Sequence, residues 1–302
     1  MIEKHIIPFI GKIKLSRLAS VQIQFMYNEL KEKGRLHKNG TRIYQPLSDS
    51  SVRHIHQILN NCLNQAVKER IIPFNPCINC RVPKQRKREV SVLTEEEIGM
   101  YLYAAKQLGV YPLFFLEFTS GLRRGELLAL LWRDLDVNKR TLRINKQLYR
   151  AQGKLIVTEP KTPNAFRTIV LPQQTVDLLI EEHNRHPESP LMFCDPKANG
   201  YWSPDAIYRI HKKILMTTGL DDSFRFHDLR HTFATLALQN GVDVRTLASM
   251  LGHYSAEFTL DTYTHVTLDM QRGAAEKIGA YASNDFQKHI QINENLEQQP
   301  DA

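Results

Sequence analysis

The 302-residue chain predicts a mainly helical, α+β architecture: a helical N-terminal domain and a larger helical domain that holds a small antiparallel sheet. Three observations predict it. Apolar residues recur at helical spacing through most of the chain, and Ser/Thr/Asp/Glu capping patterns stand where several of those stretches begin. Three short runs between residues 141 and 171 are rich in β-branched and aromatic residues, with turn residues between them. Last, Pro83-Lys84-Gln85-Arg86-Lys87-Arg88 interrupts both patterns and divides a chain whose length suits two compact cores.

The elements follow in order. Residues 18–32 carry Val21, Ile23, Phe25, Met26 and Leu30 and form a first helix. A polar loop with Gly34, Asn39 and Gly40 follows. Ser48-Asp49-Ser50-Ser51 offers N-caps for a second helix, with Val52, Ile55, Ile58, Leu59, Cys62, Leu63 and Ala66 on one stripe. That helix ends near Arg70, ahead of Ile71-Ile72-Pro73, because a proline disfavours helix in the residue before it. Residues 1–83 thus make one domain and 84–90 a basic linker, which is either a solvated charge run or a segment lying along phosphates.

Thr94-Glu95-Glu96-Glu97 has the Thr and Glu of a capping box and starts a helix through Met100, Leu102, Ala104 and Ala105. Further helices are expected over 111–119 and 123–132. Residues 141–148, 154–158 and 166–171 form the small sheet, with turns at Asn138, Gly153 and Pro163-Asn164. Helices return over 173–184, 204–217, 227–240 and 244–251. A last helix, 268–282, packs on its own domain or on a neighbour, since amphipathic pattern does not distinguish the two. The larger domain spans 91–283, and 284–302 is a polar, Gln- and Asn-rich tail.

A formal net charge of +8 favours a polyanionic partner, nucleic acid first. Four cysteines in a chain this long make no disulfide framework and suit a reducing cytoplasm. Cys77-Ile78-Asn79-Cys80 has the spacing of half a zinc site, but no second pair follows, so two thiols in a loop are expected and no metal. No apolar run approaches the ~20 residues that span a bilayer.

Four patches carry chemistry. In Ser120-Gly121-Leu122-Arg123-Arg124-Gly125-Glu126, Gly121 suits a turn at a helix start, where free N–H groups favour anions, and Arg123 offers a planar two-donor fork. Glu126 shares its face and either orients it or is an ordinary surface partner. In His227-Asp228-Leu229-Arg230-His231, His227 and Arg230 stand at i and i+3, with Leu229, Phe233, Ala234 and Leu236 to bury the other side. A His beside an Arg is a proton-exchanging group with an anion grip, or a surface pair. Leu251-Gly252-His253 closes a helix with Gly252 as its C-cap, leaving His253 on a turn. Tyr263, in Asp261-Thr262-Tyr263-Thr264-His265, is either a half-buried packing residue or a nucleophile.

Taken together, and with Trp132, Asp134 and Lys161, these patches resemble in order and spacing the tyrosine site-specific recombinases, the integrases of phages and mobile elements. The style is most similar to integrases of Gram-positive prophages and conjugative transposons. The resemblance is strong over about 91–280 and looser over 1–83, which it implies is the helical core-binding domain. Family members usually carry more helix, and often an arm-binding domain, ahead of a segment like His5-Ile6-Ile7-Pro8, so the chain is expected to be truncated at its N-terminus.

The resemblance implies Tyr263 as nucleophile, Arg123 and Arg230 on the two non-bridging phosphate oxygens, His253 as a third donor and His227 in proton transfer with the tyrosine. Lys161 is the candidate general acid for the 5′-oxygen, with Lys154 its rival and Lys146 a weaker one; Glu126 supports Arg123. The product is a 3′-phosphotyrosyl DNA, rejoined without ATP, metal or other cofactor. It further implies double-stranded DNA as partner, contacted also by Lys84, Arg86, Lys87 and Arg88. A homotetramer on synapsed DNA formed from free monomers is implied as well, with cleavage in cis, and with an excisionase or DNA-bending protein as accessory. A type IB topoisomerase-like enzyme and an inactive DNA-binding regulator on the same fold are the alternatives. The intact set of groups from Arg123 to Tyr263 argues against the inactive regulator.

Overall fold

The computed structural model describes residues 1–36, 45–84, 91–160, 162–252 and 275–276, and the chain divides into two units, Met1–Glu89 and Val90–Ala302. The basic residues Arg86, Lys87 and Arg88, the expected helix at 268–282 apart from the helical Ala275-Glu276, and the 284–302 tail lie outside the described residues.

In the first unit, α1 (Ile7–Ile10) follows a turn of π-helix at Ile2–Ile6. The next helices are α2 (Ser20–Lys33) and α3 (Asp49–Lys68). Ser48 caps α3 by accepting from the Ser51 amide at 3.2 Å, as the run of Ser and Asp there implies. Ile23, Met26, Tyr27 and Leu30 of α2 meet Val52, Ile55, Leu59 and Leu63 of α3 in the core. Two expectations need correction. Val21 and Phe25 of α2 are exposed, because the buried arc runs through Ile23 and Tyr27 on the far side of the helix. Cys62 is also exposed, one position off the Leu59–Leu63 stripe. Cys77 and Cys80 sit on one turn: the Tyr27 hydroxyl lies 3.8 Å from the Cys77 thiol and 2.9 Å from His56 Nδ1. Burial pushes the Cys77 thiol up to about 11, so it is an inert thiol in a packed turn.

The second unit opens with α4 (Glu95–Gln107), started by the Thr94–Glu97 capping box: Glu97 accepts from the Thr94 amide and Thr94 from the Glu97 amide. Next come α5 (Tyr111–Ser120) and a single turn, α6 (Arg124–Leu127). The helix expected over 123–132 stops there. Beyond Leu128 the backbone bonds across the fold instead of up a helix: Met192 donates to Leu130, Trp132 donates to Pro190, and Leu131 bridges Leu191.

Strands β1 (Leu135–Asp136), β2 (Thr141–Ile144), β3 (Gln147–Ala151), β4 (Lys154–Thr158) and β5 (Arg167–Val170) follow. The run 141–148, expected as one strand, breaks at Asn145-Lys146. The Lys146 ammonium turns back onto Asp134 at 2.5 Å. The result is a three-stranded antiparallel sheet, β1-β2-β5, and a separate β3-β4 hairpin. Helices α7 (Gln173–Arg185), α8 (Pro204–Thr218), α9 (Phe226–Gln239) and α10 (Val244–Leu251) complete the described unit, with a small hairpin of β6 (Cys194–Asp195) and β7 (Gly200–Tyr201) before α8.

Helix α5 carries Leu113, Phe114 and Leu116 into the centre of this unit and packs against α4, α7 and α9. A buried polar chain braces the same region. The Tyr101 hydroxyl of α4 donates to His211 Nδ1 of α8 at 2.8 Å, and His211 Nε2 donates to the Phe224 carbonyl at 3.1 Å, just ahead of α9. That bond fixes where α9 begins, and α9 carries two of the chemistry-bearing residues.

Candidate active site

The site forms where α5, α6, α9 and α10 end or begin. Gly121 does not start a helix: with φ +58 it closes α5 in the left-handed conformation. A Cβ there would come within 2.3 Å of the Phe233 ring, so only glycine lets α9 pack this closely. The chain leaves that cap extended at Arg123, whose amide donates to Glu126 Oε2 at 2.9 Å while its Nη1 donates to Glu126 Oε1 at 2.7 Å. Glu126 thus aims Arg123 from beneath, as its i+3 spacing suggested.

Helix α9 starts at a second such arrangement. The Arg225 amide donates to Asp228 at 2.7 Å and the Arg225 guanidinium closes on the same carboxylate at 2.6 Å. His227 and Arg230 then fall on the first turns. Leu229 and Ala234 are buried as expected, with Leu236 only partly so. Arg230, 2% exposed, donates from Nη1 to the Gly121 carbonyl at 2.8 Å and from Nη2 to the Leu251 carbonyl at 2.6 Å. The His227 ring stands edge-on to His231 at 4.9 Å. Desolvation, then the neighbouring His231, Arg230 and Arg225, push the His227 imidazole down to about 4; the residue is exposed, which weakens desolvation as a cause and leaves the surrounding cations the firmer one. It is therefore neutral, and able to accept a proton, at pH 7.

Gly252 caps α10 with φ +64, as the sequence implies. The end of that helix is where the cations converge. Arg167 Nε donates to the Met250 carbonyl at 2.6 Å, Arg230 Nη2 to Leu251 and Arg123 Nη2 to Gly252 at 3.0 Å. Three successive carbonyls that an α-helix leaves without intrahelical partners each hold a different guanidinium. A Cβ on Gly252 would meet Arg167 Nη1 at 2.9 Å, so this crowding also requires glycine.

The local charges are unequal. Burial alone would raise the Glu126 carboxyl, but hydrogen bonds and charge from Arg167, then Arg123, bring it down to about 2, so it is ionised. Glu117, fully buried on α5, is the opposite: desolvation raises it well above the usual range against the pull of Arg230, and neither oxygen has a hydrogen-bond partner among the described residues. Three guanidiniums therefore meet at the end of α10 with one ionised carboxylate, Glu126, which pairs with Arg123 and Arg167 while Arg230 holds the Gly121 and Leu251 carbonyls. Such a surplus suits an anion. Arg123, with 38% of its side chain exposed, presents it to solvent.

Arg123, Glu126, His227 and Arg230 are brought together. Lys161, His253 and Tyr263 lie outside the described residues. Of the rival lysines, Lys146 is tied to Asp134 with little of its side chain exposed, while Lys154 is exposed at the β3-β4 hairpin end opposite Ala151. Lys84 is exposed at the described edge of the linker. Sequence reasoning missed Arg167 and the Arg225–Asp228 pair. The pair follows the i, i+3 capping spacing and was findable that way, whereas Arg167 reaches Glu126 across 41 residues and leaves no local signal.

Comparison with known proteins adds to this geometry. Residues 91–270 match the model of the phage integrase family, and residues 1–31 match that of the phage integrase N-terminal SAM-like domain. The chain is similar to a tyrosine recombinase XerC-like protein of Caldanaerobacter subterraneus, 30% identical over 294 residues, covering 88% of this chain and 72% of the relative. It is also similar to the ICEBs1 integrase of Bacillus subtilis, 28% identical over 292 residues, covering 92% and 75%. Among solved structures, the Tn1549 transposon integrase in complex with a circular intermediate DNA superposes with a TM-score of 0.72 at 18% identity, covering 89% of this chain and 88% of that one. A lambda integrase tetramer bound to a Holliday junction gives 0.57 at 20% identity, covering 80% and 66%. At those identities the structural likeness is one of fold.

Proposed function

The chain belongs to the phage integrase family of tyrosine recombinases and is a site-specific recombinase that cuts and rejoins DNA; from that premise we propose the residue roles that the arginine cluster supports. The observation that carries them is the convergence of Arg123 and Arg230 on the adjacent carbonyls of Gly252 and Leu251, at the turn leading to His253 and, further along the chain, Tyr263.

Arg123 and Arg230 take the two non-bridging oxygens of the scissile phosphate, and His253 gives a third hydrogen bond. These donors act most strongly on the pentavalent transition state, where negative charge is greatest. Arg123 is open to a phosphate beforehand. Arg230 is closed to solvent, so its grip forms as DNA binds. Tyr263 Oη attacks phosphorus and its proton passes to His227, which is neutral at pH 7. The bond from phosphorus to the 5′-oxygen breaks, and Lys161 protonates that oxygen. A 5′-hydroxyl then attacks the 3′-phosphotyrosyl bond and returns the tyrosine. Bond energy is conserved in the adduct, so no ATP enters.

The domain roles are proposals of the same kind. Residues 1–83 serve as core-binding domain, 84–90 as a basic linker on phosphates, 91–283 as catalytic domain and 284–302 as tail. The working assembly is a homotetramer on two duplexes, built from monomers in the cytoplasm and acting on a mobile element, with an excisionase or DNA-bending protein to set direction. No helix among the described residues is long and apolar enough to cross a membrane.

The test uses nicked duplexes carrying the ends of the parent element, in EDTA, followed by denaturation. Wild type is expected to leave DNA covalently attached to protein, and Tyr263→Phe to leave none. An adduct of equal yield in Tyr263→Phe refutes the nucleophile assignment.

A further inference from the structure

Two of the three guanidiniums on the end of α10 have phosphate roles in the proposal above; Arg167 has none. Its side chain is only 5% exposed, and all three of its nitrogens donate. Nη1 and Nη2 donate to Glu126 Oε1 and Oε2 at 3.1 and 2.8 Å, a planar two-point pairing. Nη1 also donates to the Ala165 carbonyl at 3.2 Å, and Nε donates to Met250 at 2.6 Å. Glu126 in turn holds both the amide and the guanidinium of Arg123. One buried side chain on β5 therefore sets the orientation of the carboxylate that aims Arg123, and also holds the helix end that leads into His253.

We propose that Arg167 is the positioning residue of this site: it locks the Glu126 carboxylate beneath Arg123 and anchors the last turn of α10, so that the Arg123 half of the phosphate clamp is in place before DNA arrives. It touches no reacting atom. The inference rests on the assignment of Arg123 to the scissile phosphate. Its physical content is geometric. A lysine at 167 keeps the charge and most of the volume, but one ammonium cannot serve two carboxylate oxygens and a carbonyl in the fixed directions of a guanidinium. A glutamine removes the charge, so Glu126 is left buried with Arg123 as its ion-pair partner, and its proton affinity rises.

Single-turnover cleavage of the nicked duplex by wild type, Arg167→Lys and Arg167→Gln, followed across pH, tests this, with DNA affinity read by anisotropy and folding by thermal melting. Arg167→Lys is expected to fold, to bind DNA as wild type does, and to cleave about 10- to 100-fold more slowly at saturating DNA, the usual loss for a group that orients a reacting one. Arg167→Gln is expected to lose further rate as the pH falls from neutral toward 5, a decline from Glu126 protonation that wild type lacks. Wild-type cleavage by Arg167→Lys overturns the proposal. So does a loss of cleavage and affinity in step with a loss of folded protein, with the pH profile unmoved. An adduct that persists in Tyr263→Phe would overturn the nucleophile assignment, while the ratio of Arg167→Lys to wild type still decides the role of Arg167.

Discussion

Two buried polar networks in the second unit differ in one respect that separates bracing from chemistry. Tyr101, His211 and the Phe224 carbonyl form a neutral chain in which each donor meets an acceptor, and Tyr101 and His211 are closed to solvent. Arg123, Arg167 and Arg230 gather at the end of α10, where two of them pair with the one ionised carboxylate, Glu126, and Arg123 is part-exposed. A neutral, satisfied network specifies how helices meet. A network with surplus charge and an open member is stable enough to fold yet incomplete until an anion joins it.

That contrast breaks most sharply at Arg123. Arg123→Ala should slow adduct formation by about 10²- to 10³-fold, the range for loss of one donor to a developing oxyanion, while thermal stability stays near wild type because the side chain is part-exposed. A change in melting temperature with unaltered cleavage per folded molecule would put Arg123 in the bracing class.

The reverse is expected of the neutral chain. Burial, first among the causes, pushes His211 down to about 4, so its depressed value contributes stability that is present above the ordinary value near 6.5 and is lost as pH falls from there through about 4. Integrated over that window the loss is roughly 3 kcal/mol, measurable as a falling denaturant midpoint between pH 7 and pH 4. A His211→Gln variant whose midpoint shows the same fall in that window would contradict the assignment. Tyr101→Phe leaves the His211 acceptor buried without its donor. It should cost about 1–3 kcal/mol in chemical denaturation and leave the cleavage rate of folded protein unchanged.

The smallest effect belongs to charges that only neutralise phosphates. Arg86→Ala and Lys87→Ala should each weaken DNA binding evenly across sequences and reduce the slope of log affinity against log salt by about one. Slopes equal to wild type would remove the linker from the DNA path.

Much of the charged cluster was readable in the sequence, because Arg123 with Glu126 and His227 with Arg230 lie within one helical turn and spacing alone puts them on one face. Arg167 was not readable. It follows Pro163-Asn164-Ala165-Phe166 at the start of a strand, and both its partners, Glu126 and Met250, are distant in the chain. The fold divides the same way. The capped helices α3 and α4 begin where Ser48 and Thr94 say they should. The apolar run Leu127-Leu128-Ala129-Leu130-Leu131-Trp132 reads as helix, but residues 190–192 capture its backbone, and no local propensity encodes that partner. Likewise β6 and β7 are two residues each, too short for any alternation to register.

The surplus charge is the central claim, and replacing the scissile phosphate with a neutral methylphosphonate tests it most directly. With one anionic oxygen gone, the site no longer needs its full cationic count. Adduct formation by Arg123→Ala should then approach that of wild type on the same substrate, shrinking the 10²- to 10³-fold penalty to within about tenfold. An undiminished penalty on the neutral substrate would mean that Arg123 acts on something other than phosphate charge and would contradict the account.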